Sequence, residues 1–288
     1  MMNTFLTGTA VGLLLAFWGG YLLTGWMVPP LQQAIRNAGL LRPNYAGKSV
    51  PVGLGTALWL GMFLTTVPFL LLSDVLPIPW AMVQDMIGLL FVSTGFVLIG
   101  LLDDVAGNRD VTGIKGHLKK LWRGRVVTTG LIKAVAGLCT GIAGAWMLGL
   151  AGWELAVGSL VIALSANLVN LLDLRPGRAC KGVLFALLLL AVCSLRALDS
   201  PAFWLVLGAV LAYFPDDVKA RMMMGDAGSN LLGGSIGMLV VATCSLPVLL
   251  TWLGVLLVVH LYAEKYSLSE TIEKNRLLRW LDVLGRSA

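Results

Sequence analysis

The sequence predicts an all-α fold, a polytopic transmembrane helical bundle of about nine spans. Three observations carry that expectation. Of the 288 residues, 58% are hydrophobic and 12% charged, with a mean hydropathy of +0.86. Soluble domains carry about a quarter charged residues, so lipid must solvate much of this surface. Nine apolar stretches are long enough to span or nearly span a bilayer, at approximately 5–28, 52–73, 77–102, 126–150, 153–172, 182–198, 201–214, 227–245 and 246–263. Finally, 19 of the 21 Lys and Arg residues fall after the odd-numbered stretches, as expected when basic loops stay in the cytoplasm.

The first stretch has no basic residue before it and is too long for a signal-peptide core, so it reads as a retained helix. Arg36, Arg42 and Lys48 follow it. Pro77 and Pro79 separate the second stretch from the third, which ends on Asp103-Asp104. Arg109, Lys115, Lys119, Lys120, Arg123 and Arg125 come next. The fourth stretch carries Lys133 about eight residues in, roughly 12 Å below the loop at the helical rise. The fifth holds Asn167 and Asn170, ends on Asp173, and is followed by Arg175, Arg178 and Lys181. Pro201 divides the sixth from the short seventh, after which come Lys219 and Arg221. The eighth opens at Asp226, and only Ser245-Leu246-Pro247 parts it from the ninth. Lys265, Lys274, Arg276, Arg279 and Arg286 follow the ninth, leaving Lys133 and Arg196 as the exceptions. This pattern puts the N-terminus outside and the C-terminus inside.

The expected division is a membrane bundle over 1–263 and a cytoplasmic tail over 264–288. In the tail Ser267 and Glu270 fit a helix-capping box, and Ile272, Leu277, Leu281 and Leu284 recur at helical spacing among cations. An amphipathic helix on the inner membrane surface is expected. The net charge of +6 is read as a topology signal, with no nucleic-acid partner. The four cysteines, Cys139, Cys180, Cys193 and Cys244, read as small buried hydrophobes without a CxxC pair. Two histidines, His117 and His260, are too few and too far apart for a His-based metal cluster.

Carboxylates at membrane depth are expensive and are usually kept for a function. Asp103-Asp104, Asp173 and Asp226 all stand at the inner ends of helices under an orientation fixed by other residues. Carboxylates converging among cations and Gly-rich turns suit Mg²⁺ holding phosphate, because that ion takes a few carboxylates and completes its shell with substrate oxygens and water. Backbone N–H groups around Gly225 and Gly228 could help to bind an anion at the helix start. Plainer readings stand beside these: Asp103-Asp104 as a solvated helix edge, Asn167 and Asn170 as helix–helix contacts, Asp226 as a helix cap.

Gly100-Leu-Leu-Asp-Asp104, Asn167-Leu-Val-Asn-Leu-Leu-Asp173 and Met224-Gly-Asp-Ala-Gly-Ser229 occur in that order. They resemble the GxxDD, NAxNLxD and MGDxGS motifs of the polyprenyl-phosphate N-acetylhexosamine-1-phosphate transferases, glycosyltransferase family 4. The resemblance spans roughly Lys48 to His260 and marks a divergent branch. Pro176 stands where the family has a second Asp, and the motif after the first helix survives only as Lys48, Pro51 and Gly55. A lysine expected early in the fourth helix falls near Thr129, with Lys133 one turn deeper, and only His260 stands for the histidine-rich loop.

The resemblance implies a Mg²⁺-dependent enzyme of the bacterial plasma membrane, with its active site on the cytoplasmic face. It would move a sugar-1-phosphate from a nucleotide sugar to polyprenyl phosphate and release the nucleoside monophosphate. Asp226, shared with Asp173, would hold the metal. Asp103 or Asp104 would take or orient the lipid phosphate's proton, and Lys133 would stand in for the family lysine. Asn167, Asn170, Arg175, Arg178, Arg221, Gly225, Gly228 and Ser229 would line the substrate site. A homodimer, a weakened homologue and a transporter or scramblase stay open.

Overall fold

The structure, a computed structural model, describes residues 2–106 and 128–286. His117 and the six basic residues from Arg109 to Arg125 lie outside the described residues. Each of the nine apolar stretches contains a helix: α1 (Met2–Asn37), α2 (Gly55–Ser73), α3 (Trp80–Ala106), α4 (Thr129–Met147), α5 (Gly152–Leu172), α6 (Arg178–Cys193), α7 (Pro201–Val218), α8 (Gly225–Thr243) and α9 (Leu246–Ala263). Seven of them, α1 to α5, α7 and α9, are long and apolar enough to cross a membrane.

The other two differ for physical reasons. α6 has 16 residues, because the chain turns at Ser194 into a 3₁₀ segment, Leu195–Asp199. α8 is 19 residues long but holds Asp226, Asn230 and several glycines, and nearly every residue from Ala227 to Thr243 is buried. α2, α3 and α5 pack around it. A helix whose neighbours are protein needs no lipid-compatible face, so its composition follows close packing instead. Gly228 meets Gly55 of α2 so closely that a Cβ on Gly228 would lie 2.6 Å from the Gly55 Cα.

The outward surface is apolar, with Leu14, Leu71, Leu98, Phe185 and Leu188 among its exposed side chains. Trp80, Trp146 and Trp153 are exposed at the start of α3, the end of α4 and the start of α5. They mark the bundle end opposite Asp103 and Asp173, where amphipathic indoles suit a membrane interface. The cysteines are all free, but only Cys180 is buried; Cys139 and Cys193 are exposed on that outward surface, contrary to expectation.

Two features differ from expectation, a hairpin within the all-α fold and a tail of two helices rather than one. Between α1 and α2 a short antiparallel hairpin pairs β1 (Leu41–Pro43) with β2 (Ser49–Pro51). The Asn44 side chain accepts from the Ala46 and Lys48 amides to shape its turn. Its far end clasps the segment before α8: Met223 N–H donates to the Pro51 carbonyl at 2.8 Å, and Gly55 N–H to the Met224 carbonyl at 2.9 Å. The tail, in turn, forms two helices, α10 (Leu268–Lys274) and α11 (Arg276–Val283). Ser267 caps the first through the Glu270 amide. Asn275 interrupts the chain in extended conformation and caps the second, accepting from the Leu277 and Leu278 amides.

Candidate active site

The N-terminus of α8 organises the site. Its first amides lack intrahelical partners and carry the positive end of the helix dipole. Two carboxylates from the protein itself meet them. Asp104, in the last turn of α3, accepts from the Asp226 and Ala227 amides, both at 3.0 Å. Asp173, at the C-cap of α5, lies beside the Gly225 amide. Gly225 has φ +73°, and a Cβ there would lie 2.6 Å from Asp104 Oδ2. The expectation that the Gly225 and Gly228 region binds a substrate anion is therefore corrected. The carboxyl groups at this helix start are those of Asp104 and Asp173, and Gly228 is a packing contact.

Beside this capped end lies a second cluster. Lys133 Nζ donates to Asp226 Oδ2 and sits 3.7 Å from Asp103 Oδ2. Lys133 is the fifth residue of α4, about 6 Å along the helix rather than the 12 Å expected. Thr129, one turn earlier, lies beside Asp103. The network assigns the Asn170 amide so that its nitrogen donates to Asp226 Oδ1 (3.2 Å) and Ser229 Oγ (3.0 Å) while its oxygen accepts from Lys133 Nζ (2.9 Å). Asn230 donates to the Asp226 carbonyl at 2.6 Å. The Asp226, Asp103 and Lys133 side chains are only 17–26% exposed, so the cluster is sheltered yet reachable.

Burial drives the Asp173 carboxyl well above the usual carboxylate range. The charges of Asp217, Asp226 and Asp104 add to this, and the Gly225 amide opposes it. Among the described residues, Lys133 is the cation set between Asp226 and Asp103.

A family model described as glycosyl transferase family 4 matches residues 86–244. A phospho-N-acetylmuramoyl-pentapeptide-transferase from Heliobacterium modesticaldum (strain ATCC 51547 / Ice1) is 30% identical over 269 residues, covering 86% of this chain and 78% of that protein. This chain belongs to glycosyl transferase family 4. The matched segment runs from α3 to α8 and contains all four carboxylates and Lys133. The hairpin and the tail lie outside it. As a family 4 member the chain is a divergent polyprenyl-phosphate N-acetylhexosamine-1-phosphate transferase homologue, as its motifs indicated.

The donor set suits the divalent metal chemistry general to family 4. Asp103 and Asp226 already face one cation, the Lys133 ammonium. No group of three metal-ligating side chains is present among the described residues. Two hard oxygen donors without a complete protein shell fit Mg²⁺, which keeps water and phosphate oxygens in its remaining positions.

Several expected site residues are placed elsewhere. Arg178 is buried, and its guanidinium forks onto Asp282 (Nε–Oδ1 2.8 Å, second nitrogen–Oδ2 2.9 Å) and donates to Ser269 at 2.8 Å. Every guanidinium nitrogen is engaged by the tail, so a diphosphate clamp at Arg178 is corrected to a tail anchor. Arg175 pairs with Glu273 at 3.5 Å, and Arg221 with Asp216 at 2.7 Å. Asn167 is exposed on α5, while Asn170 enters the cluster. Ser229 is fully buried, donating to the Gly225 carbonyl. His260 lies within α9 with Nδ1 on the Leu256 carbonyl, so it supplies no loop. Arg42 was missed: it donates to the Asp104 carbonyl at 2.8 Å from the hairpin. Its neighbours Pro43 and Pro51 signalled an irregular segment but not its destination.

Proposed function

We propose that this chain transfers a sugar-1-phosphate from a UDP-linked N-acetylhexosamine to polyprenyl phosphate, releasing UMP, in cell-envelope polysaccharide or glycolipid synthesis. The observation that carries the reading is the Asp103–Lys133–Asp226 cluster, set at the mouth of α8 within the segment that matches the family. In this reading Asp226 and Asp103 would hold Mg²⁺, which would supply positive charge to the donor diphosphate. Asp103 takes or orients the lipid phosphate's proton, because Asp104 is committed to two α8 amides. In this reading Asp103 takes the metal-ligand role expected of Asp173, and Asp173 buttresses Gly225. Lys133 holds the two carboxylates together before substrate arrives and then faces the phosphates. Asn170 fixes the Asp226 carboxylate in one orientation. Arg42 supplies positive charge beside Asp104.

The rest of the arrangement follows from the charge asymmetry. The bundle, residues 1–263, lies N-terminus out in a bacterial plasma membrane, with the site on the cytoplasmic face. The tail, residues 264–288, rests on that face. Leu277, Trp280, Leu281 and Leu284 are exposed along α11, next to Arg276 and Arg279, a composition suited to an anionic lipid surface. A donor simpler than the pentapeptide substrate named for the Heliobacterium relative fits the loop after Asp173, which is short and covered by the tail.

A second reading, binding of lipid phosphate without turnover, is favoured by the engagement of Arg178 in the tail. Purified protein incubated with polyprenyl phosphate, Mg²⁺ and a panel of nucleotide sugars separates the two. Mass spectrometry of the lipid extract should show a polyprenyl diphosphate sugar and, in the aqueous phase, UMP. Binding of polyprenyl phosphate with neither product supports the second reading.

A further inference from the structure

The tail grips the segment between α5 and α6, together with the first turn of α6, at five places. Arg178 forks onto Asp282 and reaches Ser269. Lys181 Nζ donates to the Leu281 and Asp282 carbonyls at 2.9 and 2.7 Å. Arg286 Nε donates to the Pro176 carbonyl at 2.9 Å, and its second nitrogen to Asp282 Oδ1 at 2.6 Å. Arg175 pairs with Glu273. Asp282, 7% exposed, is the buried centre of this set, shared by Arg178 and Arg286.

The gripped segment is very short. Asp173 caps α5, and α6 begins at Arg178, after Gly177 at φ +74°. Only four residues separate the carboxylate that meets the Gly225 amide from the arginine locked to Asp282. Gly177 also rests on Val218 at the end of α7, where a Cβ would come within 2.8 Å of Val218 Cγ2, and Gly285 of the tail lies against the same side chain. A cluster of cations on a loop would ordinarily be mobile and solvated; here each is spent on the tail. Pro176, which replaces an acidic residue of the family pattern, offers Arg286 its carbonyl.

We propose that the C-terminal tail is a latch that positions the Asp173 elbow, with Asp282 as its positioning residue. The proposal rests on the transferase reading for its effect on turnover, but not for its effect on the elbow. Freeing Asp282 releases Arg178, Arg286 and the Pro176 carbonyl together, so the elbow moves and Asp173 leaves the Gly225 amide. Such a displacement lowers kcat more than it raises KM, since it disturbs the alignment of reacting groups rather than the bulk of substrate contact.

The test uses full-length protein in lipid nanodiscs, as wild type, Asp282→Asn, Arg178→Gln and the double variant. Hydrogen exchange over residues 174–181 should rise about tenfold in each single variant and no further in the double, because the two side chains act as one unit. Exchange over 231–241 in α8 should stay unchanged, which shows that the bundle is folded. With polyprenyl phosphate and UDP-GlcNAc, kcat should fall at least about tenfold with KM within about a factor of two. Unchanged exchange over 174–181, or raised exchange with unchanged kcat, overturns the latch. If wild type itself gives no turnover, the transferase reading fails and the exchange arm alone decides whether the tail holds the elbow.

Discussion

Asp103 and Asp104 are adjacent carboxylates that the structure gives opposite tasks, and neutralising each should separate them. Asp104 accepts two amides at 3.0 Å from the first turn of a buried helix. Asp104→Asn keeps the shape but offers one oxygen in place of two and removes the charge. A hydrogen bond to a charged group contributes about 1.5–3 kcal/mol, and the favourable helix-terminus interaction about 0.3–1 kcal/mol. A loss of roughly 2–3 kcal/mol follows. With about 2–4 °C per kcal/mol for a chain of this size, the melting temperature should fall by about 4–12 °C. Asp103 instead stands against the like-charged Asp226 and shares Lys133 with it. Asp103→Asn relieves that repulsion while it weakens an ion pair, so its melting temperature should shift by less than about 2 °C. Its turnover should fall by about 10²–10⁴, the usual contribution of a positioned proton acceptor. Thermal melts in one detergent, with turnover measured on the same preparations, decide the matter. Equal destabilisation by both variants, or a stable Asp104→Asn protein, would refute the capping argument.

Lys133→Met should lower turnover at least about hundredfold and lower the Mg²⁺ concentration needed for half-maximal rate, since the ammonium that competes for Asp226 and Asp103 is gone; an unchanged Mg²⁺ titration would remove Lys133 from the site. The tail should be acid-sensitive. Burial alone would raise the Asp282 carboxyl, but the hydrogen bonds and charges of Arg178 and Arg286 hold it below the usual range. A depressed folded pKa means the stabilisation is present above the ordinary value of about 3.9 and is lost as pH falls below it through the folded value. The melting-temperature gap between wild type and Asp282→Asn should therefore hold steady from pH 6 to about 4 and narrow below that; a gap that stays constant down to about pH 3 argues against the charge pair. For topology, cysteines introduced at exposed Asp199 and Tyr266 should label from opposite sides of sealed vesicles, and labelling of both from outside contradicts the proposed orientation.

How far the site could be read from the sequence depended on whether local rules controlled the residue. The ends of α3, α5 and α8 follow from apolar run lengths, and those ends bring Asp103, Asp104, Asp173 and Asp226 together. Lys133 stood out because a cation inside an apolar run needs a partner. Nothing local says which of Asp103 and Asp104 faces Lys133. That choice is made by the α8 amides, 122 and 123 residues further along the chain. Arg178 was read as a phosphate ligand because its partner Asp282 is 104 residues away in the tail. The hairpin escaped notice because three-residue strands carry too few side chains to show a period of two, and its pairing with Met223 is tertiary. The tail split into two helices because the Asn275 side chain competes with the helix for its amides, a propensity that a hydrophobic period does not record.

The most direct measurement of the central claim is a competition assay. Purified protein receives polyprenyl phosphate, Mg²⁺, UDP-GlcNAc and UDP-MurNAc-pentapeptide together, with Asp226→Asn run in parallel. Asp226 should be indispensable, because its carboxylate oxygens are what the metal requires. Wild type should give a Mg²⁺-dependent polyprenyl diphosphate N-acetylhexosamine with an equal amount of UMP and little pentapeptide product, and the Asp226→Asn protein neither product. A clear preference for the pentapeptide would contradict the donor assignment, and full activity in Asp226→Asn would contradict the site itself.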